Sequence, residues 1–357
     1  MKGFFVGLLV LGGIVLVAGG ACIAVGYVNH KQNETEVINT HDFEDDITKL
    51  DLGVRTANIE IVKTDEAKTT VICEEKEKVY HEVTVKDGLL KIRQVDERKW
   101  YERYIFNFNF KQMKVTVFLP KDTYEGLTLD SATGSINVKE GFAFGDVKSS
   151  TSTGSFSMEG CTANDVTLKS STGSNYIERV NANKISMKSS TGSLNIKKCE
   201  AVDAVELEAS TGSVRIDELT AKSFKSKTST GGVHIKNLTV SDDIVTNSST
   251  GNIDLENVTA ASYEAKASSG HVELTNTVIS GNIKIKTSTG HVRFTDSDAE
   301  SLNVETDTGS VKGNLLTPKI VYFESDTGHG KYPKVTAGGR FEIKTDTGDA
   351  DITFPEQ

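Results

Sequence analysis

Residues 185–216 read ISMKSSTGSLNIKKCEAVDAVELEASTGSVRI, and within them the sequence Ser-Thr-Gly occurs twice, ending at Gly192 and Gly212. The same tripeptide, or a variant such as Asp-Thr-Gly, recurs from residue 132 to residue 348, and successive glycines are 19 or 20 residues apart. A fixed period of this length is typical of solenoid proteins, in which each repeat forms one coil. The glycines are Gly134, Gly154, Gly173, Gly192, Gly212, Gly231, Gly251, Gly270, Gly290, Gly309, Gly328 and Gly348.

Apolar and polar residues alternate on both sides of each glycine. Val205 lies seven residues before Gly212, and Val214 and Ile216 lie two and four residues after it. Charged residues such as Glu208, four residues before the glycine, occupy positions between the apolar ones. Alternation with a period of two predicts strands with one buried face and one face in water.

The residue three positions before the glycine is always small, as in Ser189 and Ala209. A small residue followed by glycine predicts a tight inner corner, where we expect the glycine to adopt a positive φ. One coil then holds two strands, a sharp Thr-Gly corner and a looser return of roughly six to eight residues. Because such a unit cannot bury its own apolar face, neighbouring coils must stack in register.

These patterns predict an all-β protein whose residues 131–357 form a single-stranded β-solenoid of about twelve coils, each of 19–20 residues. At ~4.8 Å per strand-to-strand step the rod is about 55 Å long. Residues 47–130 match the period poorly but contain strand-like alternations, so we expect an irregular β cap that includes a hairpin through residues 104–110.

Residues 1–30 predict one transmembrane helix. The apolar, uncharged run from Phe4 to Val28 is 25 residues long, enough to cross ~30 Å of hydrocarbon. A cleavable signal peptide ending near Ala18–Ala21 is the alternative. Lys2 favours a cytoplasmic N-terminus, which makes this a single-pass protein of the cell membrane with the bulk of the chain outside. Residues 31–46 are polar and unpatterned, as in a tether.

Composition excludes some classes of function. The net charge of −10 argues against nucleic acid as a partner. The four cysteines include no CxxC pair and no Cys/His spacing typical of zinc sites, so we expect no metal site, no cofactor and no disulfide framework. Cys161 and Cys199 follow their glycines by seven residues, two coils apart, which predicts buried, unpaired thiols.

Asp307, Asp326 and Asp346 each begin an Asp-Thr-Gly tripeptide like that of aspartic proteases. Those enzymes need two such loops face to face, whereas here the three aspartates belong to one corner column that is serine in most earlier coils. A water-exposed acidic column is the favoured interpretation, and a cation or sugar site is the alternative.

His271 and His291 both follow a corner glycine in adjacent coils, so we expect them about 5 Å apart. Such a pair can bind a metal or respond to pH, but polar residues at an exposed turn are the favoured explanation. In the cap, Trp100 and Tyr101 lie among basic residues and form a candidate ligand or membrane-surface patch, while Phe106, Phe108 and Phe110 alternate as core residues do.

Three sequence features together resemble a known family. They are LDLGVRTANIEIVKTD at residues 50–65, VTVFLP at residues 115–120 and the SSTGS coils that follow. The chain is similar over about residues 45–355 to the bacterial putative-adhesin family of β-strand-repeat surface proteins, a family of unknown function. The resemblance implies the solenoid architecture and surface exposure, and it carries over no catalytic residues.

Three functions are compatible with these features. The first is a membrane-anchored adhesin or scaffold that binds a cell-envelope polymer, another cell surface or a membrane protein. The second is the ectodomain of an envelope-stress signalling system, which would act through a membrane partner because so few residues precede the apolar run. The third is a polysaccharide lyase or hydrolase, which would need a carboxylate pair at catalytic separation. We expect no catalytic site.

Overall fold

The computed structural model describes residues 36–100 and 112–355, and the regular structure in these ranges is entirely β. The N-terminal part contains β1 (Glu36–Phe43), β2 (Lys49–Val54), β3 (Asn58–Lys63), β4 (Thr69–Lys76), β5 (Val79–Lys86), β6 (Leu89–Asp96), β7 (Lys114–Leu119), β8 (Thr123–Ser131) and β9 (Ile136–Val138).

The central coils contain β10 (Ala143–Thr151), β11 (Phe156–Glu159), β12 (Thr162–Ser170), β13 (Asn175–Glu178), β14 (Asn181–Ser189), β15 (Leu194–Ala209), β16 (Val214–Thr228), β17 (Val233–Val240), β18 (Asp243–Ser248), β19 (Ile253–Ala260), β20 (Ser262–Ala267), β21 (Val272–Thr287) and β22 (Val292–Thr306). The C-terminal end contains β23 (Val311–Leu315), β24 (Lys319–Ser325), β25 (Gly330–Lys331), β26 (Gly339–Thr345) and β27 (Ala350–Thr353).

The coils form a parallel β-solenoid of about eleven turns, close to the number expected from the glycine period. Val205 pairs with Phe224, and Val214 pairs with Val233, so equivalent positions of successive coils lie side by side. These four side chains are at most 1% exposed. The predicted inward columns are therefore confirmed as one continuous core that runs the length of the stack.

The corner glycines are required by close packing and not by a positive φ, which corrects our expectation. A Cβ atom built on Gly212 would lie 2.0 Å from the carbonyl oxygen of Gly192, and one built on Gly231 would lie 2.1 Å from that of Gly212. No positive φ is found at any of the twelve corner glycines. The backbone of each corner thus lies directly against the backbone of the neighbouring corner. The two are too close for any residue with a Cβ atom.

In nine of the twelve coils the small residue three positions before the glycine has a hydroxyl that bonds to the glycine backbone. The Ser170 hydroxyl donates to the carbonyl oxygen of Gly173 at 2.6 Å, and Thr228 does the same for Gly231 at 2.6 Å. In other coils the hydroxyl accepts from the glycine N–H, as Ser189 does from Gly192 at 2.8 Å. A buried hydroxyl therefore satisfies backbone groups that the tight corner would otherwise leave unpaired.

Left-handed backbone occurs six residues after the glycine, at a position that we expected to be part of a looser return. Seven non-glycine residues there have φ between 47° and 61°, and Gly160 fills the same position. Asparagine tolerates this conformation better than most residues. Its amide also links coils, because Asn257 donates to Asn237 at 2.9 Å and Asn276 donates to Asn257 at 3.3 Å.

The N-terminal end of the stack does not follow sequence order. Strand β2 lies between β6 and β8, and β3 lies between β7 and β9. Residues 47–64, which we expected in an irregular cap, thus form a true coil with Ala57 at the corner, where a Cβ on Gly134 would meet the Ala57 carbonyl oxygen at 1.7 Å. The antiparallel strands β5, β4 and β1 continue the sheets beyond it.

The C-terminal end is interlocked in the same way. Strand β26 pairs with both β22 and β24, and β27 pairs with both β23 and β25, so the last coil in sequence is inserted one layer inside the end. Where the chain passes from β23 to β24, a buried ion pair holds it in place. In this pair Lys319 Nζ lies 2.8 Å from Asp298 Oδ1. Thr317 donates to the other oxygen of Asp298 at 2.6 Å.

Several expectations concern residues 1–35 and 101–111, which lie outside the described residues. They include the membrane helix, the Tyr104–Phe110 hairpin, the core position of Phe106, Phe108 and Phe110, and Tyr101. Within residues 36–100 and 112–355, no helix has the length and apolar character needed to cross a bilayer. Residues 36–43, which we assigned to a tether, instead form strand β1, antiparallel to β4.

Cys161 and Cys199 are buried and unpaired, as predicted. They are 2% and 5% exposed, and burial raises the pKa of each thiol to about 11. Both side chains pack in the core as small apolar groups.

The glycine column gives the first prediction. Gly212→Ala should lower the free energy of unfolding by roughly 1–3 kcal/mol or more, because the new methyl group overlaps the preceding corner. Gly126→Ala is the matched control, since its Cβ would meet nothing closer than the Asp146 carbonyl oxygen at 3.6 Å. Thermal melts of both variants check this, and equal melting temperatures would contradict the role of close packing at the corner.

Candidate ligand-binding groove

The strand segments that follow the corner present two outward columns to solvent. Side chains three and five residues after each glycine point away from the core, because those two and four residues after it point inward. Arg215 and Asp217 are such a pair in β16, and His234 and Lys236 are the next pair in β17. Parallel pairing in register places each outward residue beside its equivalent in the neighbouring coil.

These columns line a groove of about 630 Å³. The groove crosses six successive coils, and its outward residues three positions after the glycine include Tyr176, Asn195, Arg215, His234, Asp254 and Glu273. Five strand-to-strand steps of ~4.8 Å make this groove about 24 Å long. A smaller pocket lined by His271, His291 and Arg293 adjoins it, because both share Glu273.

Ion pairs connect the groove residues across coils. His234 Nδ1 lies 2.7 Å from Asp254 Oδ2, and Lys236 Nζ lies 3.0 Å from Glu256 Oε1. All four side chains are at least 39% exposed, so these pairs add little to stability and remain accessible to a ligand. Arg215 makes no ion pair among the described residues and contacts only the Ser193 hydroxyl, at 3.5 Å.

One end of the groove carries an aromatic side chain with a fixed orientation. The Tyr176 hydroxyl donates to Glu178, and this hydrogen bond holds the pKa of the Glu178 carboxyl below its ordinary value. The same bond raises the pKa of Tyr176 to about 12. Lys197 also approaches Glu178, at 3.5 Å. The tyrosine is therefore a neutral, oriented and partly exposed ring at neutral pH.

The two histidines are adjacent, as predicted, with ring centroids 5.1 Å apart and planes at 10°. Their Nδ1 atoms are hydrogen-bond acceptors. His271 accepts from the backbone N–H of His291, and His291 accepts from the backbone N–H of Ser310, both at 2.9 Å. Asn252 Oδ1 accepts from the N–H of His271 in the same way, at 3.1 Å. These contacts form a ladder from Asn252 to His291. In it, the side chain that follows one corner glycine accepts a hydrogen bond from the backbone N–H of the equivalent residue in the next coil.

The three aspartates lie in one corner column, but in the order Asp307, Asp346, Asp326. Asp346 N–H donates to the Asp307 carbonyl oxygen at 2.9 Å, and Asp326 N–H donates to the Asp346 carbonyl oxygen at 3.1 Å. All three side chains are exposed. A single exposed column does not provide the face-to-face loops of an aspartic protease.

Trp100, in the cap, is 74% exposed.

The groove residues carry a signal in the sequence that we did not use. The columns three and five residues after the glycine were interpreted only as solvent-facing positions, although their mixture of Tyr, Arg, His and Asp differs from the mostly Lys and Glu column four residues before the glycine. That difference was the available signal. The left-handed column was also missed, although three consecutive coils carry Asn237, Asn257 and Asn276 there.

A family model described as Toastrack DUF4097 matches residues 47–204 and 241–357, well over half of the chain. The chain belongs to this family. The resemblance noted from the sequence is thereby confirmed, and the family is one of unknown function. No curated protein matches the chain in sequence.

Solved structures of similar overall form come from several bacteria. A putative adhesin from Parabacteroides distasonis is 15% identical, with a TM-score of 0.41, and the match covers 86% of this chain and 97% of that one. A putative adhesin from Bacteroides fragilis is 16% identical, with a TM-score of 0.29 and coverage of 90% and 98%. A putative lipid binding protein from Parabacteroides distasonis is 12% identical, with a TM-score of 0.33 and coverage of 88% and 96%. At these scores the likeness supports no functional inference.

The histidine ladder gives the second prediction. His291→Asn should leave the exchange rate of the Ser310 amide hydrogen almost unchanged, because Asn provides an acceptor as Asn252 does. His291→Phe keeps a ring beside His271 but removes the acceptor, so exchange should become about fivefold faster, equivalent to about 1 kcal/mol for one hydrogen bond. Hydrogen exchange measured by NMR or mass spectrometry checks this, and equal rates in the two variants would contradict a role for the Nδ1 acceptor in protecting the Ser310 amide.

Proposed function

We propose that this protein is a membrane-anchored, extracytoplasmic rod that binds an extended, hydroxyl-rich polymer of the cell envelope along the groove. The observation that carries the proposal is the groove itself, which crosses six coils and is about 24 Å long at ~4.8 Å per step. A linear polymer can contact successive coils through equivalent positions. A small molecule would use only one or two of them.

The chemistry of the groove favours a polar, largely uncharged ligand. Its outward side chains carry both signs of charge. The positive ones include Lys197, Arg215 and Lys236, and the negative ones include Asp217, Asp254, Glu256 and Glu273. This mixture provides hydrogen-bond donors and acceptors without a field of one sign. Tyr176 adds a ring of the kind that stacks on the apolar face of a sugar. A glycan satisfies these features better than a nucleic acid, which requires a basic surface.

Location at the cell surface is part of the proposal. It is supported by the apolar run from Phe4 to Val28, which is long enough to span a bilayer, and by the polar exterior of the stack. A rod held at one end by the membrane would present the groove to the wall or to a neighbouring cell.

The third prediction tests the groove directly. Arg215→Ala combined with Lys236→Ala should weaken saturable binding of the purified chain to isolated cell walls by about tenfold or more, because two exposed donors within the groove are lost. The matched control is Lys225→Ala combined with Lys227→Ala, which removes the same charge from exposed positions before the corner, outside the groove. Binding is measured by sedimentation with walls, membranes and intact cells at several salt concentrations.

Equal loss in both double variants would mean that binding depends on net charge and not on the groove. Binding to membranes alone, or to no fraction, would contradict the polymer proposal and favour the signalling alternative, in which a membrane protein is the partner.

A further inference from the structure

Three metal-binding side chains converge inside the N-terminal end of the solenoid, far in sequence from the groove. Cys73 and Glu75 lie on β4, and His81 lies on β5 after the short connection. One donor atom from each of them lies within 4.8 Å of the others. The residues are 0%, 4% and 5% exposed, respectively. Sulfur, carboxylate oxygen and imidazole nitrogen are the donor types that bind Zn²⁺ in proteins.

Hydrogen bonds fix the carboxylate and the ring. Glu75 Oε1 accepts the backbone N–H of His81 at 2.6 Å and lies 3.1 Å from His81 Nδ1. The other carboxylate oxygen accepts a hydrogen bond from the Asn39 amide on β1. A carboxylate that holds Nδ1 leaves Nε2 as the donor atom, the arrangement that orients many metal-binding histidines.

The Nε2 atom of His81 is the feature that a simple buried ion pair does not explain. It is buried, and it has no hydrogen-bond partner among the described residues. An unpaired buried nitrogen destabilises the folded state, so most such atoms have a partner in stable proteins. The Nε2 atom of His41 is also buried and unpartnered within the described part of the chain. His41 lies two residues from Asn39 on β1; Asn39 pairs with Cys73, and His41 pairs with Val71.

We propose that Cys73, Glu75 and His81 form a structural Zn²⁺ site that ties the β4–β5 hairpin together at the N-terminal end of the solenoid. Cys73 and His81 bind the ion through sulfur and Nε2, and Glu75 orients the His81 ring through Nδ1. His41, whose Nε2 atom is also buried and unpartnered among the described residues, is the candidate for a third protein ligand, and water completes the tetrahedral coordination. This site is independent of the groove and of the proposed function.

Binding is a proton exchange. Without a metal, Cys73 is a free, fully buried thiol. When Zn²⁺ forms a bond to sulfur, the thiol loses its proton to solvent, and one proton is released for each ion bound. No electron is transferred in this step. The divalent charge stabilises the thiolate that burial alone disfavours.

The fourth prediction is that the purified full-length chain binds one equivalent of Zn²⁺ and that Co²⁺ in its place gives a thiolate-to-cobalt charge-transfer band. Cys73→Val should abolish the band and stoichiometric zinc binding, because the sulfur donor is lost while an apolar side chain still fills the core. His81→Phe should do the same. His41→Phe should weaken zinc binding, because a buried nitrogen donor is lost, and unchanged binding would rule out His41 as a ligand.

The matched control is Cys161→Ser, which changes another buried thiol and should leave both readouts unchanged. Zinc should also raise the melting temperature of the wild-type chain but not that of Cys73→Val. The site would be refuted if the wild-type chain bound no stoichiometric Zn²⁺, or if Cys73→Val bound as much as the wild type. The wild-type Co²⁺ spectrum remains decisive if either variant fails to fold.

Discussion

The contact between each corner glycine and the carbonyl group of the corner before it is the constraint on which the stack depends. Any side chain at this position would overlap the neighbouring backbone, since a Cβ on Gly212 would lie only 2.0 Å from the carbonyl oxygen of Gly192. The close approach fixes one edge of each coil relative to the next. Once this edge is fixed, parallel pairing places the inward residues in register and closes the core.

The same register organises everything outside the core. Residues one, three, five and six positions after the glycine each form a column, and each column has its own role. The first binds the next coil through side chains such as His271 and His291. The third and fifth line the groove. The sixth takes the left-handed backbone and carries the asparagine ladder. Function can therefore vary within one column without disturbing the neighbouring ones.

Much of the fold could be predicted from the sequence, because a period of 19–20 residues is a strong signal and inward columns repeat in every coil. The reason for the glycines could not, because a positive φ and a close backbone contact select the same residue. The order in which the terminal coils stack could not be predicted from the sequence either. The coils that begin at Asp307, Asp326 and Asp346 share the same Asp-Thr-Gly corner, so the corner motif does not show that the last one is inserted between the other two.

The candidate sites were less predictable than the fold for a related reason. The groove depends on side chains from six coils, and each of them alone looks like an ordinary exposed residue. Cys73, Glu75 and His81 match no familiar zinc spacing, and only the turn between β4 and β5 brings them together.

The most direct measurement is disulfide trapping of the coil order at the C-terminal end. Asn303 pairs with Glu342 across β22 and β26, and Tyr322 lies one coil further away, beside Glu342 on β24. The chain with Asn303→Cys and Glu342→Cys should form an intramolecular disulfide on mild oxidation, and the chain with Asn303→Cys and Tyr322→Cys should not. The opposite result would show that the coils stack in simple sequence order and that the ends are not interlocked.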